Sequence, residues 1–362
     1  MEMDRIPGSA IPPRLRYRAG RVPKFSCLSM ARALPASSRI AMHSSVSETQ
    51  SELRMFILGM GFVGQLLSYK LQNQGWVVSG TCTSHMKKKK LEDRGFHIYQ
   101  FDALEPDCFC RLSILDHIKH YTHLLVSIPP IVGLGDPMLQ HERLLRSSFV
   151  NGNLQWLCYL SSTTGVYGDC GGELVDEDYP PNPTSELAKL RLASEEGWSS
   201  LAHYLGISAY VFRLGGVYGP GRSAIETIMK QDSLSEAQKM RKYRKYTSRV
   251  HVEDICQAIM AAADALSLGK VYNIVDDDPA AREQVFEYAR KLVEKKWPDL
   301  IKQEAQEVEW SDVKPTDMRG EKRVSNARMK DELGVRLLYP DFRTGLQSIL
   351  DKMDTPCLQS RS

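Results

Sequence analysis

Six residues, Gly59-Met-Gly-Phe-Val-Gly64, follow directly on an apolar run, Arg54-Met-Phe-Ile-Leu58, and open a stretch patterned as a helix from Val63 to Asn73. An apolar run stopped at once by glycines reads as a buried strand. G-x-G-x-x-G between a strand and a helix is the turn that receives a pyrophosphate. Gly59 allows the tight turn, Gly61 lets the backbone approach the phosphates with no side chain in the way, and Gly64 lets the helix pack close to the strand. Phe62 and Val63 lie where the turn passes into the helix, whose positive end faces the anion. The turn thus constrains the chain to an α/β architecture that binds a dinucleotide. The competing reading is a plain strand–helix turn that uses glycine for geometry alone.

The remaining pattern agrees with that architecture. Further strands are expected at 76–82, 97–101, 123–128, 155–160, 208–214 and 271–275, about seven in all, with helical patterns between most of them. Strands alternating with helices argue for a parallel sheet covered on both faces. Right-handed crossovers make this a doubly wound Rossmann sheet with a smaller C-terminal substrate lobe. The nucleotide-binding domain is expected over residues 51–217, regaining its last helix and strand at 249–276. Residues 218–248 form an insertion belonging to the lobe, 277–353 form the lobe itself, and 354–362 form a loose tail.

The end of the second strand tests the choice of nucleotide. An acid there would hold the ribose 2′-hydroxyl of NAD. The sequence instead reads Gly80-Thr-Cys-Thr-Ser-His-Met86, with Lys87 and Lys88 next. Thr83, Ser84 and Lys87 suit the 2′-phosphate of NADP, so NADP is favoured over NAD. Lys87 to Lys90 also satisfy the simpler reading of a solvated helix face.

Net charge is only +3, which does not by itself imply nucleic acid. The charge is unevenly placed. From Arg5 to Ser47 there is no Asp or Glu but there are seven Arg and one Lys, among many Ser, Ala and Pro. Such a composition matches an organelle transit peptide over residues 1–50, with the chloroplast stroma preferred and the mitochondrion or cytoplasm as alternatives. No run is long and apolar enough to span a membrane. Eight scattered Cys without a C-x-x-C pair point to a reducing compartment. His117, His120 and His123 lack a Cys or carboxylate at ligand spacing, so no metal is expected.

Several segments resemble the extended short-chain dehydrogenase/reductases, the NAD-dependent epimerase/dehydratase group. They are Ser161-Ser-Thr-Thr-Gly-Val-Tyr-Gly168, followed by Asp176-Glu177; Phe212-Arg-Leu-Gly-Gly-Val-Tyr-Gly-Pro-Gly221; Val250-His-Val-Glu-Asp254; Val271-Tyr-Asn-Ile-Val275; and Ser325 with Leu333-Gly334. The resemblance runs from Arg54 to about Leu346. It implies a nicotinamide cofactor, a small-molecule substrate, and a centre built from Ser/Thr, Tyr and a Lys four residues later.

Thr163 falls at the Ser/Thr position. The helix that carries Tyr and Lys in the family reads Leu187-Ala-Lys-Leu-Arg191, so Leu187 stands in the Tyr place and Arg191 in the Lys place. A shifted register pairs Ser185 with Lys189. Neither supplies a tyrosine, and this resembles the atypical, YeeZ-like branch. Leucine carries no proton, whereas Arg191 can still bond a ribose and stays charged. Losing one positioned acid–base costs about a hundred- to ten-thousand-fold in rate. Ser161, Ser162 and Tyr167 are the substitutes within reach of the motif, with Tyr167 read as structural.

The resemblance also implies an anionic substrate contact near the Val-His-Val segment, making Arg222 and Arg249 candidates. The basic run Lys239–Arg249, with Tyr243 and Tyr246 interleaved, permits RNA stacking as well, although no RRM or KH motif accompanies it. The expectation is an NADP-dependent oxidoreductase or epimerase-like enzyme for a small carbonyl, hydroxyl or anionic substrate. The alternative is a non-catalytic cofactor-binding scaffold or redox sensor that holds RNA or a protein partner. Oligomeric state stays open, with a homodimer among the options.

Overall fold

The computed structural model describes residues 52–104, 108–230, 246–265, 269–301 and 322–355, with backbone only at 108–111, 162–164, 299 and 301. Seven strands, β1 (Arg54–Leu58), β2 (Val77–Cys82), β3 (His97–Gln100), β4 (His123–Val126), β5 (Trp156–Ser162), β6 (Ser208–Leu214) and β7 (Val271–Ile274), form one sheet. Its spatial order is β7-β6-β5-β4-β1-β2-β3, and every pairing is parallel. All seven correspond to strands expected from the sequence.

Helices cross over between these strands: α1 (Phe62–Gln72), α2 (His85–Glu92), α3 (Cys108–Ile118), α4 (Glu142–Phe149) and α5 (Glu186–Leu205). After β6 come α6 (Ala224–Lys230), α7 (Val252–Asp264), α8 (Arg282–Lys296), α9 (Ala327–Leu333) and α10 (Phe342–Asp351). Successive strand side chains face opposite ways. On β1, Met55 and Ile57 join the core containing Leu67 and Leu71 of α1 and Ile255 and Ile259 of α7. Phe56 and Leu58 join the other face, against Leu145 and Phe149 of α4 and Trp198 and Leu201 of α5. A central strand buried on both faces needs an unbroken apolar run, which is what 55–58 supplies.

A third core lies beside the sheet, where Ile225 and Met229 of α6, Val285, Ala289 and Val293 of α8, and Phe342, Leu346 and Ile349 of α10 pack together. Two short parallel pairs were not legible in the sequence: Leu174–Val175 with Arg323–Val324, and Gly216–Tyr218 with Arg249–His251. Two or three residues carry too little periodicity to be read.

The chain winds outward from β1 to β3 and then returns to β4 on the other side of β1. The two directions part at the carboxyl ends of β1 and β4, where doubly wound sheets place their ligands. Among the described residues no helix is long and apolar enough to cross a membrane. The expected transit segment at 1–50, the basic run as far as residue 245 and the tail from 356 lie outside the described residues.

Candidate functional site

The glycine turn sits at that switch point, and each glycine does a different job. Gly59 has φ +96°, and a Cβ there would stand 2.7 Å from Ser127 Oγ. Its N–H donates to Thr81 Oγ1 at 2.9 Å, and the Met60 N–H donates to the Thr81 carbonyl at 2.7 Å, so β2 fixes the turn. Ser127, just past β4, donates from Oγ to the Gly59 carbonyl at 2.7 Å. A Cβ on Gly64 would lie 3.2 Å from both the Gly59 carbonyl and Ile57 Cγ2, which is the close helix–strand approach.

At Gly61 the situation reverses. Among the described residues a Cβ there would meet only the Gly59 carbonyl, at 3.9 Å. Among the described residues no side chain caps α1, so the N–H groups of its first turn, beginning with Phe62 and Val63, are not spent on a cap. An open backbone concavity with free donors fits a pyrophosphate. Thr81 and Ser127 went unread in the sequence. The only local signal was a hydroxyl near the end of each of two apolar strands.

The ribose corner lies at the end of β2. Ser84 Oγ accepts from the Lys87 N–H at 3.3 Å and caps α2, so the helix begins at His85, slightly before the expected Lys87. Thr83, Ser84 and Lys87 are exposed, while Lys88 leans toward Glu92 at 3.7 Å. Two hydroxyls and a lysine, with no acid, gather at this helix start, where the helix dipole favours negative charge.

At the reacting end, Thr163 lies on the helical turn Thr163–Val166 that follows β5, with its side chain outside the described residues. Leu187 sits half-buried in the first turn of α5. Ser185 caps α5, accepting from the Ala188 N–H at 3.2 Å, and Lys189 is exposed. Arg191 Nη1 lies 3.6 Å from the position a Cβ on Gly165 would take. The Lys-place residue therefore reaches the β5 motif, as a ribose-orienting group must.

Tyr167 is fully buried and committed. Its hydroxyl accepts from Arg213 Nη1 at 2.9 Å and donates to Asn273 Oδ1 at 2.9 Å. Arg213 also donates from Nε and Nη2 to Glu195 Oε2, at 3.0 and 2.8 Å, in a buried ion pair. Burial raises the Tyr167 pKa, with the nearby Arg213 guanidinium pulling the other way. The hydroxyl is thus held between side chains of β6 and β7. Ser161 Oγ is buried without a hydrogen-bond partner among the described residues.

The two candidate arginines part company. Arg222 is exposed, its guanidinium carbon 5.6 Å from the centroid of the Phe62 ring, at the glycine turn. Arg249 turns inward. Its Nη1 donates to the Thr247 carbonyl at 3.0 Å, and its Nη2 donates to the Ala280 carbonyl at 2.8 Å and to Thr247 Oγ1. Burial lowers its pKa to about 10, partly offset by the buried carboxylate of Asp276. The three histidines do not converge. His117 stacks on Tyr99, His123 packs between Trp76 and Trp156, and no metal-holding group occurs among the described residues.

Comparison with known proteins agrees with this fold. Protein YeeZ of Escherichia coli (strain K12) is 27% identical over 290 residues, covering 80% of this chain and 97% of that protein. A functionally unknown conserved protein from Silicibacter pomeroyi DSS is 29% identical, with a TM-score of 0.63, covering 83% of this chain and 99% of the other. The UDP-glucose 4-epimerase of Thermus thermophilus, solved with NAD, shares the fold at 19% identity and a TM-score of 0.63, covering 83% and 98%. The model of the NAD dependent epimerase/dehydratase family matches residues 55–275. On that match, the chain belongs to the NAD dependent epimerase/dehydratase family.

Proposed function

We propose that this chain is an NADP-preferring oxidoreductase or epimerase-like enzyme that works without a tyrosine acid–base. The observation that carries the reading is the open backbone cradle at Gly61, flanked by the acid-free, Ser84-capped start of α2. A bound nicotinamide supplies hydride chemistry at its C4. The chain's own share is orientation and polarisation. Phe62 and Val63 present N–H groups to the pyrophosphate, Thr83, Ser84 and Lys87 face the 2′-phosphate, Arg191 orients the second ribose, and Thr163 polarises the substrate oxygen. The substrate is a small carbonyl or hydroxyl compound, or an anionic one.

A second reading is a cofactor-loaded scaffold or redox sensor. Leu187 in the tyrosine place and the committed Tyr167 hydroxyl favour it. Nicotinamide absorbance separates the two. An enzyme oxidises NADPH faster when a carbonyl panel is added, and slows again in Thr163→Val. A scaffold shows no substrate-dependent change with any member of the panel. Placement in the plastid stroma is proposed from the acid-free, arginine-rich residues 5–47. Residues 1–50 fused to a fluorescent protein should carry it into plastids, and a diffuse cytoplasmic signal would refute that.

A further inference from the structure

Arg222 stands at the end of a turn built to hold it still. In Gly219-Pro-Gly-Arg222 the Gly219 N–H donates to the Arg222 carbonyl at 3.1 Å, and the Arg222 N–H donates back to Gly219 at 2.9 Å. Pro220 and Gly221 occupy the central positions, with Gly221 at φ +81°. Proline then a left-handed glycine is the signature of a type II turn. The Gly221 N–H donates to Glu226 Oε1 at 2.7 Å, and Ser223 Oγ bonds the other oxygen of the same buried carboxylate. The turn is therefore tied to α6 and does not swing freely.

The turn also abuts the phosphate cradle. A Cβ on Gly219 would lie 2.6 Å from Val252 Cγ1 and 3.2 Å from the Phe62 ring. Only glycine lets the turn come this close to Phe62, which immediately follows Gly61 and opens α1. The Arg222 guanidinium rests over that ring, 5.6 Å from its centroid, within cation–π range. Among the described residues no carboxylate pairs with Arg222, and the first turn of α1 carries no charged side chain: Phe62, Val63, Gly64 and Gln65. A pyrophosphate in the cradle would have backbone donors beneath it and this guanidinium beside it.

We infer that Arg222 clamps the cofactor pyrophosphate from across the crevice rather than anchoring the substrate. The inference rests on the nucleotide-site reading above and assigns one more residue to it. Arginine suits the role because its planar fork matches phosphate oxygens, and stacking on Phe62 orders it in advance. Because the turn is fixed to α6, the same contact would tie the β6–α6 segment to the bound nucleotide.

The test is calorimetric titration of the full chain and of Arg222→Ala with three probes: NADPH, 2′-phospho-ADP-ribose and 2′-AMP. The first two contain the pyrophosphate, the second lacks nicotinamide, and the third has only the 2′-phosphate. Arg222→Ala should weaken NADPH and 2′-phospho-ADP-ribose by about ten- to a hundredfold and leave 2′-AMP unchanged. Arg222→Lys, which keeps charge but loses the fork, should fall between. The side chain is exposed, so an unchanged thermal midpoint confirms that the variant folds. Equal affinity of wild type and Arg222→Ala for all three probes overturns the clamp and leaves the nucleotide site standing. A wild-type chain that binds neither pyrophosphate probe overturns the nucleotide site and the clamp together.

Discussion

Replacing Tyr167 with phenylalanine removes one oxygen atom from the buried junction of β5, β6 and β7, and its consequences separate structure from catalysis. The hydroxyl accepts from Arg213 Nη1 and donates to Asn273 Oδ1, both at 2.9 Å. Without it a buried cation keeps an unsatisfied donor, at a cost of about 1.5–3 kcal/mol. Asn273 Oδ1 loses its partner too, adding about 1 kcal/mol, and its Nδ2 already has none among the described residues. The ring itself stays packed, so no cavity cost is added. The sum is about 3 kcal/mol. With a urea slope of about 3 kcal/mol/M, the unfolding midpoint should fall by about 1 M with the slope unchanged. NADPH affinity should stay within about twofold, because the hydroxyl faces strand side chains rather than the crevice. Were Tyr167 the substitute acid–base, the pattern would invert: turnover would fall about a hundred- to ten-thousand-fold at unchanged stability. Unaltered urea unfolding in Tyr167→Phe would refute the assignment of this hydroxyl as structural.

Three further outcomes come from the same geometry, and a fourth from a buried, neutral histidine. Gly61→Trp should fold, since φ is −90° and a Cβ meets nothing closer than 3.9 Å, yet lose NADPH binding because the indole fills the cradle; far-UV circular dichroism and titration read both. Gly59→Ala should instead lose about 3 kcal/mol of stability, from a left-handed φ of +96° and a contact 2.7 Å from Ser127 Oγ. Lys87→Glu should weaken NADPH about tenfold and leave NADH unchanged if the 2′-phosphate sits at α2; equal loss for both would place the lysine elsewhere. Burial lowers the His123 pKa from 6.5 to about 4. The unfolded chain therefore binds this proton first, and the histidine's contribution is present above pH 6.5 and lost as pH falls toward 4. Urea titrations of His123→Phe should show stability falling less steeply than wild type over that window, by about 1.4 kcal/mol per pH unit.

What the sequence made legible was local. Gly59, Gly61 and Gly64 act on their own backbone, within six residues of each other, so the turn could be read before any fold was known. The buried strands announced themselves because a parallel sheet covered on both faces demands continuous apolar runs. What escaped was assembled over distance. The Arg213–Glu195 pair spans 18 residues, the Arg213–Tyr167 bond 46 and the Tyr167–Asn273 bond 106, and no periodicity connects them. Thr81 and Ser127 are ordinary strand-end hydroxyls until β2 and β4 are set beside β1. Arg222 and Arg249 looked equivalent as basic residues near family motifs. Only packing shows that one is exposed over Phe62 and the other bonds Thr247 and Ala280.

A competent dinucleotide site is expected to persist although leucine occupies the tyrosine place. Calorimetric titration of the chain with NADPH, NADP, NADH and NAD tests this most directly. Micromolar or tighter binding is expected, with the phosphorylated pair preferred. A clear preference for NADH and NAD would keep the fold and contradict the Thr83–Ser84–Lys87 corner. Absence of binding to all four would contradict the dinucleotide site itself and leave a nucleotide fold that has lost its ligand.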